Sequence, residues 1–278
     1  MNTLRRPQGL IAMIRRVQTE RGRRLSGLYS IEGTRLVERA VRAGAPLVAV
    51  LAAEGLLATP TPRLRELLAA LSAAGCPVTP APDAVMADLT EGRDLGQLLG
   101  LVGLPPPVSL PEVLSSLHTS APTTAAFPPL LLAAVDITDP GNVGALTRTA
   151  HAAGAAALLV AGGGDPFHPR ATRISRGSIF KLPVVPYADA AALLADLRGC
   201  GVAAIATTVA GGAPLPRLVR PAGPVAVLMG NEAEGLPAAV AAAVDISITI
   251  PMPAGVDSYS VNAAAAIVLY HLGQAPPA

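Results

Sequence analysis

Arg148 is the side chain of this sequence best suited to chemistry on an anion, because a guanidinium stays charged and presents a rigid fork of N–H donors. It closes the first of three short segments that cluster glycines or prolines with hydrogen-bonding side chains: DPGNVGALTR at 139–148, GNEAEGL at 230–236 and IPMPAGVDSYSVN at 250–262. The first segment also holds Asn142, the second Glu232, and the third Ser258, Ser260 and Asn262. Arg148 can clamp a phosphate or stabilise an emerging oxyanion. With a pKa above ~12 it is physically ill-suited to accept a proton. Glu232 supplies negative charge that can orient Arg148 or Asn142, or complement a cationic ligand. Asn142 can also cap the helix that carries Arg148. Each segment follows or contains a short apolar run that reads as a strand, so the three describe one site assembled from loops.

The elements that must position these loops follow from hydrophobic patterning. From residue 130 onward, strands expected at 130–135, 157–160, 183–185, 203–207, 225–229 and 246–250 alternate with helices at 143–153, 170–178, 188–197, 237–242 and 262–272. The strands run apolar on both faces, which implies a parallel sheet covered by helices. Residues 25–104 alternate in the same way, with strands at 28–32, 47–52, 78–79 and 98–102 and helices at 34–43 and 62–74, the pattern of a small α/β domain. Seven prolines lie between 103 and 129, where they stiffen the chain and oppose sheet pairing. The expected organisation is a basic helix and small α/β domain at 1–104, a linker at 105–129 with one helical turn near 112–117, and a larger α/β domain at 130–278.

Charge is distributed unevenly along the 278 residues. Positions 1–42 hold ten arginines against three glutamates, a charge of +7 that leaves −5 on the rest of a chain whose net charge is +2. A basic helix over residues 4–24, with Leu10, Ile14 and Val17 on one side, exposes the arginines either as a solvated face or as a footprint for a polyanion. No apolar run reaches the length of a membrane span, and the stretch at 9–14 is too short for a secretory signal, so a cytoplasmic protein is expected. Cys76, Cys200 and the four histidines lack metal-ligand spacing, so neither a disulfide framework nor a metal site is expected. The run at 162–165, GGGD, lacks both G-x-G-x-x-G spacing and a following helix start, which makes it a turn and argues against a dinucleotide enzyme.

The three segments resemble, in order and approximate spacing, the three motifs of the SpoU (TrmH-type) RNA ribose methyltransferases of the SPOUT superfamily. The likeness covers about 130–272, and residues 15–102 resemble the ribosomal-protein-like RNA-binding domain that precedes it in many members acting on ribosomal RNA. The resemblance implies a trefoil-knotted α/β catalytic domain, S-adenosylmethionine as cofactor, a homodimer, and methyl transfer to a ribose 2′-hydroxyl, with ribosomal RNA favoured over tRNA. It implies a catalytic set of Asn142, Arg148, Glu232, Ser258 and Ser260, and cofactor contacts from Thr207, Met229, Gly230, Ile250, Met252 and Tyr259. For Arg148 the family assignment is activation of the hydroxyl; electrostatic stabilisation is the alternative that guanidinium chemistry favours. RNA contacts are expected from Arg15, Arg16, Arg23, Arg24 and Arg35, and from Arg170, Arg173 and Arg176, whose spacing puts them near one helix face. Aromatic residues make up only 3% of the chain, so arginines and shape rather than stacking would hold RNA. One departure stands out: the family pattern Ser-Leu-Asn-Val is here Ser258-Tyr259-Ser260-Val261, with the asparagine at 262. Asn262 substitutes if the backbone is extended there and cannot once a helix has begun. A non-catalytic RNA-binding protein that kept the fold is the rival reading.

Overall fold

Helices and strands alternate in the order α1 (Pro7–Arg16), α2 (Glu20–Ser26), β1 (Leu28–Glu32), α3 (Thr34–Arg42), β2 (Leu47–Ala53), α4 (Glu54–Ala58), α5 (Pro62–Ala73), β3 (Val78–Ala81), α6 (Asp83–Leu89) and β4 (Leu98–Gly103). The chain continues with α7 (Leu110–Thr119), β5 (Leu130–Val135), α8 (Pro140–Ala152), β6 (Leu158–Ala161), α9 (Pro169–Ser175), β7 (Val184–Tyr187), α10 (Ala190–Gly199), β8 (Ala203–Thr207), β9 (Ala213–Pro214), β10 (Val225–Met229), α11 (Ala238–Ala243), β11 (Ile246–Thr249) and α12 (Val261–Gly273). The computed structural model describes residues 4, 6–93, 97–119 and 128–273; Arg5 and residues 120–127 of the proline-rich stretch lie outside them. The chain forms two units, one of Met1–Pro106 with Phe167–Phe180 and one of Pro107–Pro166 with Lys181–Ala278.

In the first unit β1 and β2 run antiparallel to β4, and β3 runs parallel to β2, in the order β1-β4-β2-β3. Side chains alternate across this sheet. Val50 and Ala52 of β2 face a core built with Leu36, Leu64 and Leu71, while Ala49 and Leu51 face another built with Leu10, Ile14 and Met86. Burial on both faces explains why these strands read as continuous apolar runs. The expected single helix over 4–24 is instead α1 and α2, broken at 17–19. Thr19 caps α2 by accepting from the Gly22 amide at 3.1 Å, and a Cβ on Gly22 would lie 1.8 Å from the Arg16 carbonyl oxygen. The segment Phe167–Phe180, expected with the second domain, groups with the first because of its contacts. The Tyr29 and Phe167 rings lie 5.1 Å apart, the Thr172 hydroxyl donates to the Ser30 carbonyl at 3.4 Å, and Phe180 packs against the α3–α5 core.

In the second unit every strand pairing is parallel, in the order β7-β6-β5-β10-β8-β11-β9. Leu130, Leu132 and Ala134 of β5 face α8 and α12, and Leu131, Ala133 and Val135 face α7 and α10. The stretch expected as a linker therefore supplies a full helix to this unit, with Leu110 and Val113 of α7 buried in its core. Ser109 and Glu112 form a capping box at its start: the Ser109 amide donates to the Glu112 carboxylate at 2.7 Å, and the Ser109 hydroxyl accepts from the Glu112 amide at 3.4 Å. The glycine run after β6 turns the chain with positive φ at Gly162 and Gly163. Among the described residues no helix is long and apolar enough to cross a membrane.

Candidate active site

The loops that follow β8, β10 and β11 meet the start of α12 around a cavity of about 540 Å³. This is the carboxyl end of a parallel sheet, where strand ends present backbone groups and ligands characteristically bind. Thr207, Met229, Gly230, Ile250, Met252 and Tyr259, the six expected cofactor contacts, all line it, together with Glu232 and Ser258. Thr207 anchors its strand end, its hydroxyl donating to the Leu228 carbonyl at 3.0 Å.

The loop after β10 is folded tightly on itself. The Asn231 amide donates to the Gly235 carbonyl at 3.0 Å and the Gly235 amide to the Asn231 carbonyl at 2.8 Å. The Asn231 side chain accepts from the Ala233 amide at 2.9 Å and donates to the Asp136 carbonyl at 3.1 Å, joining the loop to the end of β5. A Cβ on Gly230 would lie 2.3 Å from the Gly235 carbonyl carbon, and Gly235 sits at φ +71°, so each needs glycine for a different reason. Asn231, Glu234 and Asp257 also line the cavity and were not among the expected site residues. Their signal lay in the motifs themselves, as the polar neighbours of Glu232 and Ser258. The lining has three carboxylates and, among the described residues, no Lys, Arg or His.

Helix α8 brings the first segment to this loop. Asp139 is its N-cap, accepting from the Gly141 amide, and Pro140 opens the first turn. Asn142 is thereby inside the helix rather than capping it, and its side-chain amide donates to the Glu232 carboxylate. Arg148, six residues on, is exposed. Neither Asn142 nor Arg148 lines the cavity; Asn142 reaches it through Glu232.

The third segment resolves the asparagine question. Ser260 lies just before α12, its hydroxyl accepting from the Ala263 amide at 3.4 Å, a capping position off the cavity. Asn262 is already helical, and its side-chain oxygen accepts from the Thr149 hydroxyl of α8 at 2.6 Å. Neither residue 260 nor residue 262 lines the cavity, a trait they share with Asn142 and Arg148.

In the first unit the arginines separate by environment. Arg16, Arg24 and Arg35 are exposed, and Arg15, also exposed, pairs with Asp88 at 2.8 Å. Arg23 is a correction to the expected RNA contacts: it is 2% exposed and donates to the Val17 and Gln18 carbonyls at 2.8 and 3.1 Å, closing the break between α1 and α2. Arg173 is partly buried and pairs at 2.8 Å with the buried Glu32, which Arg93 also holds at 3.2 Å. Arg170 is exposed at the start of α9. Arg176 leaves the helix face shared by Arg170 and Arg173, because it terminates α9 in the left-handed conformation. Its carbonyl accepts from Arg39.

The family model of the SpoU rRNA methylase family matches residues 129–270, and that of the MRM3-like substrate-binding domain matches residues 8–99. The 23S rRNA (guanosine(2553)-2′-O)-methyltransferase RlmP of Bacillus subtilis is 36% identical over 149 residues, 51% of this chain and 56% of that protein, so the match spans little more than half of that relative. The 23S rRNA (guanosine-2′-O-)-methyltransferase RlmB of Ralstonia nicotianae is 29% identical over 210 residues, 75% of this chain and 81% of that protein. Among solved structures, an AdoMet-bound rRNA methyltransferase from Sinorhizobium meliloti superposes with a TM-score of 0.77 at 25% identity, covering 95% of this chain and 93% of that one.

Proposed function

Because the chain belongs to the SpoU rRNA methylase family, we propose that it transfers a methyl group from S-adenosylmethionine to a ribose 2′-hydroxyl of RNA, with ribosomal RNA as substrate. The convergence of the three motif segments supports the reading most directly. Segments two and three line one cavity, and the Asn142–Glu232 bond ties the helix of segment one to its rim. Ribosomal RNA is favoured by the activities named for the Bacillus and Ralstonia relatives.

The cavity's chemistry suits this cofactor. Its volume falls within the ~300–1,000 Å³ of small-molecule sites. Leu236, Ile250 and Met252 offer apolar surface for the adenine, and Glu232, Glu234 and Asp257 complement the sulfonium and ammonium charges. When bound, S-adenosylmethionine supplies the electrophilic methyl group. The chain's own residues then hold the ribose and stabilise the charge that develops on it. Arg148 stabilises the negative charge that develops on the 2′-oxygen as its proton passes to solvent, and clamps the adjacent phosphate. Asn142 holds Glu232 at the rim. Arg16, Arg24 and Arg35 hold RNA through its phosphates. The trefoil knot, the homodimer and action in the cytoplasm, all implied by the family resemblance, belong to the same proposal.

The test is transfer of labelled methyl from S-adenosylmethionine to ribosomal RNA by the purified chain, followed by mapping of alkali-resistant 2′-O-methylated positions. A single resistant position that depends on the protein is the expected result. Label in a base, or none in RNA, would refute the reading.

A further inference from the structure

We propose that Thr149 is a positioning residue for Arg148, acting through its hydrogen bond to Asn262; the inference rests on the methyltransferase reading above. Arg148 is exposed on α8, so the direction of its guanidinium is governed by the rotation and height of the helix that carries it. That helix is held at both ends. In its first turn the Asn142 amide donates to Glu232. In its last turn the Thr149 hydroxyl donates to the Asn262 side-chain oxygen at 2.6 Å. The two tethers are seven residues apart, about 20° short of two full turns, so they lie on one face of α8.

The two helices also share an apolar core, to which α8 gives Val143, Leu146 and Ala150 and α12 gives Val261, Ala265 and Leu269. Such packing holds the helices together but is not directional, whereas a short hydroxyl-to-carbonyl hydrogen bond fixes both distance and angle. Thr149 immediately follows Arg148, so their Cα atoms are ~3.8 Å apart. Loss of the tether lets α8 rotate slightly, and a rotation of a few degrees shifts a long side chain by on the order of 1 Å, a misplacement able to cost up to ~10²-fold in rate. The same bond fixes the first turn of α12 and hence the entry of the loop bearing Ser258 and Tyr259. Asn262 thus links the third segment to the first, which accounts for an asparagine that is displaced from the family position and absent from the cavity lining.

The test pairs Thr149→Val, which keeps size and branching but removes the donor, with Thr149→Ser, which keeps it. Three measurements are made: methyl transfer to RNA, S-adenosylmethionine affinity by calorimetry, and amide hydrogen exchange over 146–152 and 261–265. The valine variant should lose about tenfold or more in kcat while KM for RNA and Kd for the cofactor change by less than about twofold. Its exchange should quicken in both segments, and serine should restore kcat to within about twofold of the parent. Unchanged turnover in the valine variant, a serine variant as slow as valine, or unaltered exchange in α12 would each overturn the inference. A parent chain that neither binds S-adenosylmethionine nor methylates RNA would instead overturn the functional reading beneath it.

Discussion

Gly230→Ala tests whether the tight loop after β10 builds the cofactor cavity. The added Cβ would lie 2.3 Å from the Gly235 carbonyl carbon, 2.4 Å from its oxygen and 2.4 Å from the Leu236 nitrogen. All three are backbone atoms, so no side-chain rotation relieves the clash and the loop has to open. Opening breaks the reciprocal Asn231–Gly235 pair, at 3.0 and 2.8 Å, each bond worth ~1 kcal/mol. Together they set a cost of about 2 kcal/mol, which corresponds to about a 30-fold loss of affinity for a ligand that needs the closed loop. Calorimetric titration with S-adenosylmethionine reads that loss. Gly235→Ala is the contrast, because its Cβ meets nothing within 4 Å but its φ of +71° strains any residue with a side chain. Gly235→Asn should recover part of what alanine loses, because asparagine tolerates the left-handed region, while Gly230→Asn should recover nothing. Affinity within threefold of the parent in Gly230→Ala would refute the reasoning.

Other consequences follow from the same structure. Arg23→Ala should lower stability by ~1–3 kcal/mol in denaturant unfolding, because it strips charged hydrogen bonds from the α1–α2 break, whereas Arg24→Ala should leave stability unchanged and weaken RNA binding; the reverse pattern would restore Arg23 as an RNA contact. Asp257→Asn removes one of the three cavity carboxylates and should weaken S-adenosylmethionine by roughly fivefold, about 1 kcal/mol, while barely affecting S-adenosylhomocysteine, which lacks the sulfonium charge; equal weakening of both would show that Asp257 does not sense it. Glu38 is held below the usual carboxylate range by its hydrogen bonds with Arg63, with Arg42 adding to them against the opposing effect of burial. Its folded pKa is thus lower than its unfolded one, so its contribution is complete above the unfolded pKa of ~4.3 and fades as pH falls through the folded value. Melting temperatures measured from pH 6 to pH 3 should fall less steeply in Glu38→Gln, and parallel curves would contradict this.

Much of the fold was legible because burial on both sheet faces leaves continuous apolar runs, as in Leu130–Val135 and Val225–Met229. The three segments were legible because tight loops at strand ends require glycine and proline, and Gly230 and Gly235 meet that need at measurable distances. The role of Asn142 was less so: asparagine after glycine at a helix start reads as a cap, but Asp139 takes that place and frees the amide for Glu232. Helix α7 was hidden by the prolines in and around it, although Ser109 and Glu112 carry a capping-box spacing that marks its start. Arginine spacing misled at Arg23, because a charged side chain reads as exposed until its partners are known. Those of Arg23 include the Val17 and Gln18 main-chain carbonyls, and Arg173 pairs with a buried carboxylate, Glu32. Nothing local announces either one.

In the proposed reaction Arg148 acts on the ribose hydroxyl and not on the cofactor. Single-turnover methyl transfer to ribosomal RNA by Arg148→Ala, run beside calorimetric titration of the same variant with S-adenosylmethionine, tests it most directly. Transfer should fall by ~10²–10³-fold or more, the scale for loss of an oxyanion stabiliser, with cofactor affinity within about twofold of the parent. Transfer at the parental rate, or cofactor affinity falling in step with transfer, would contradict it.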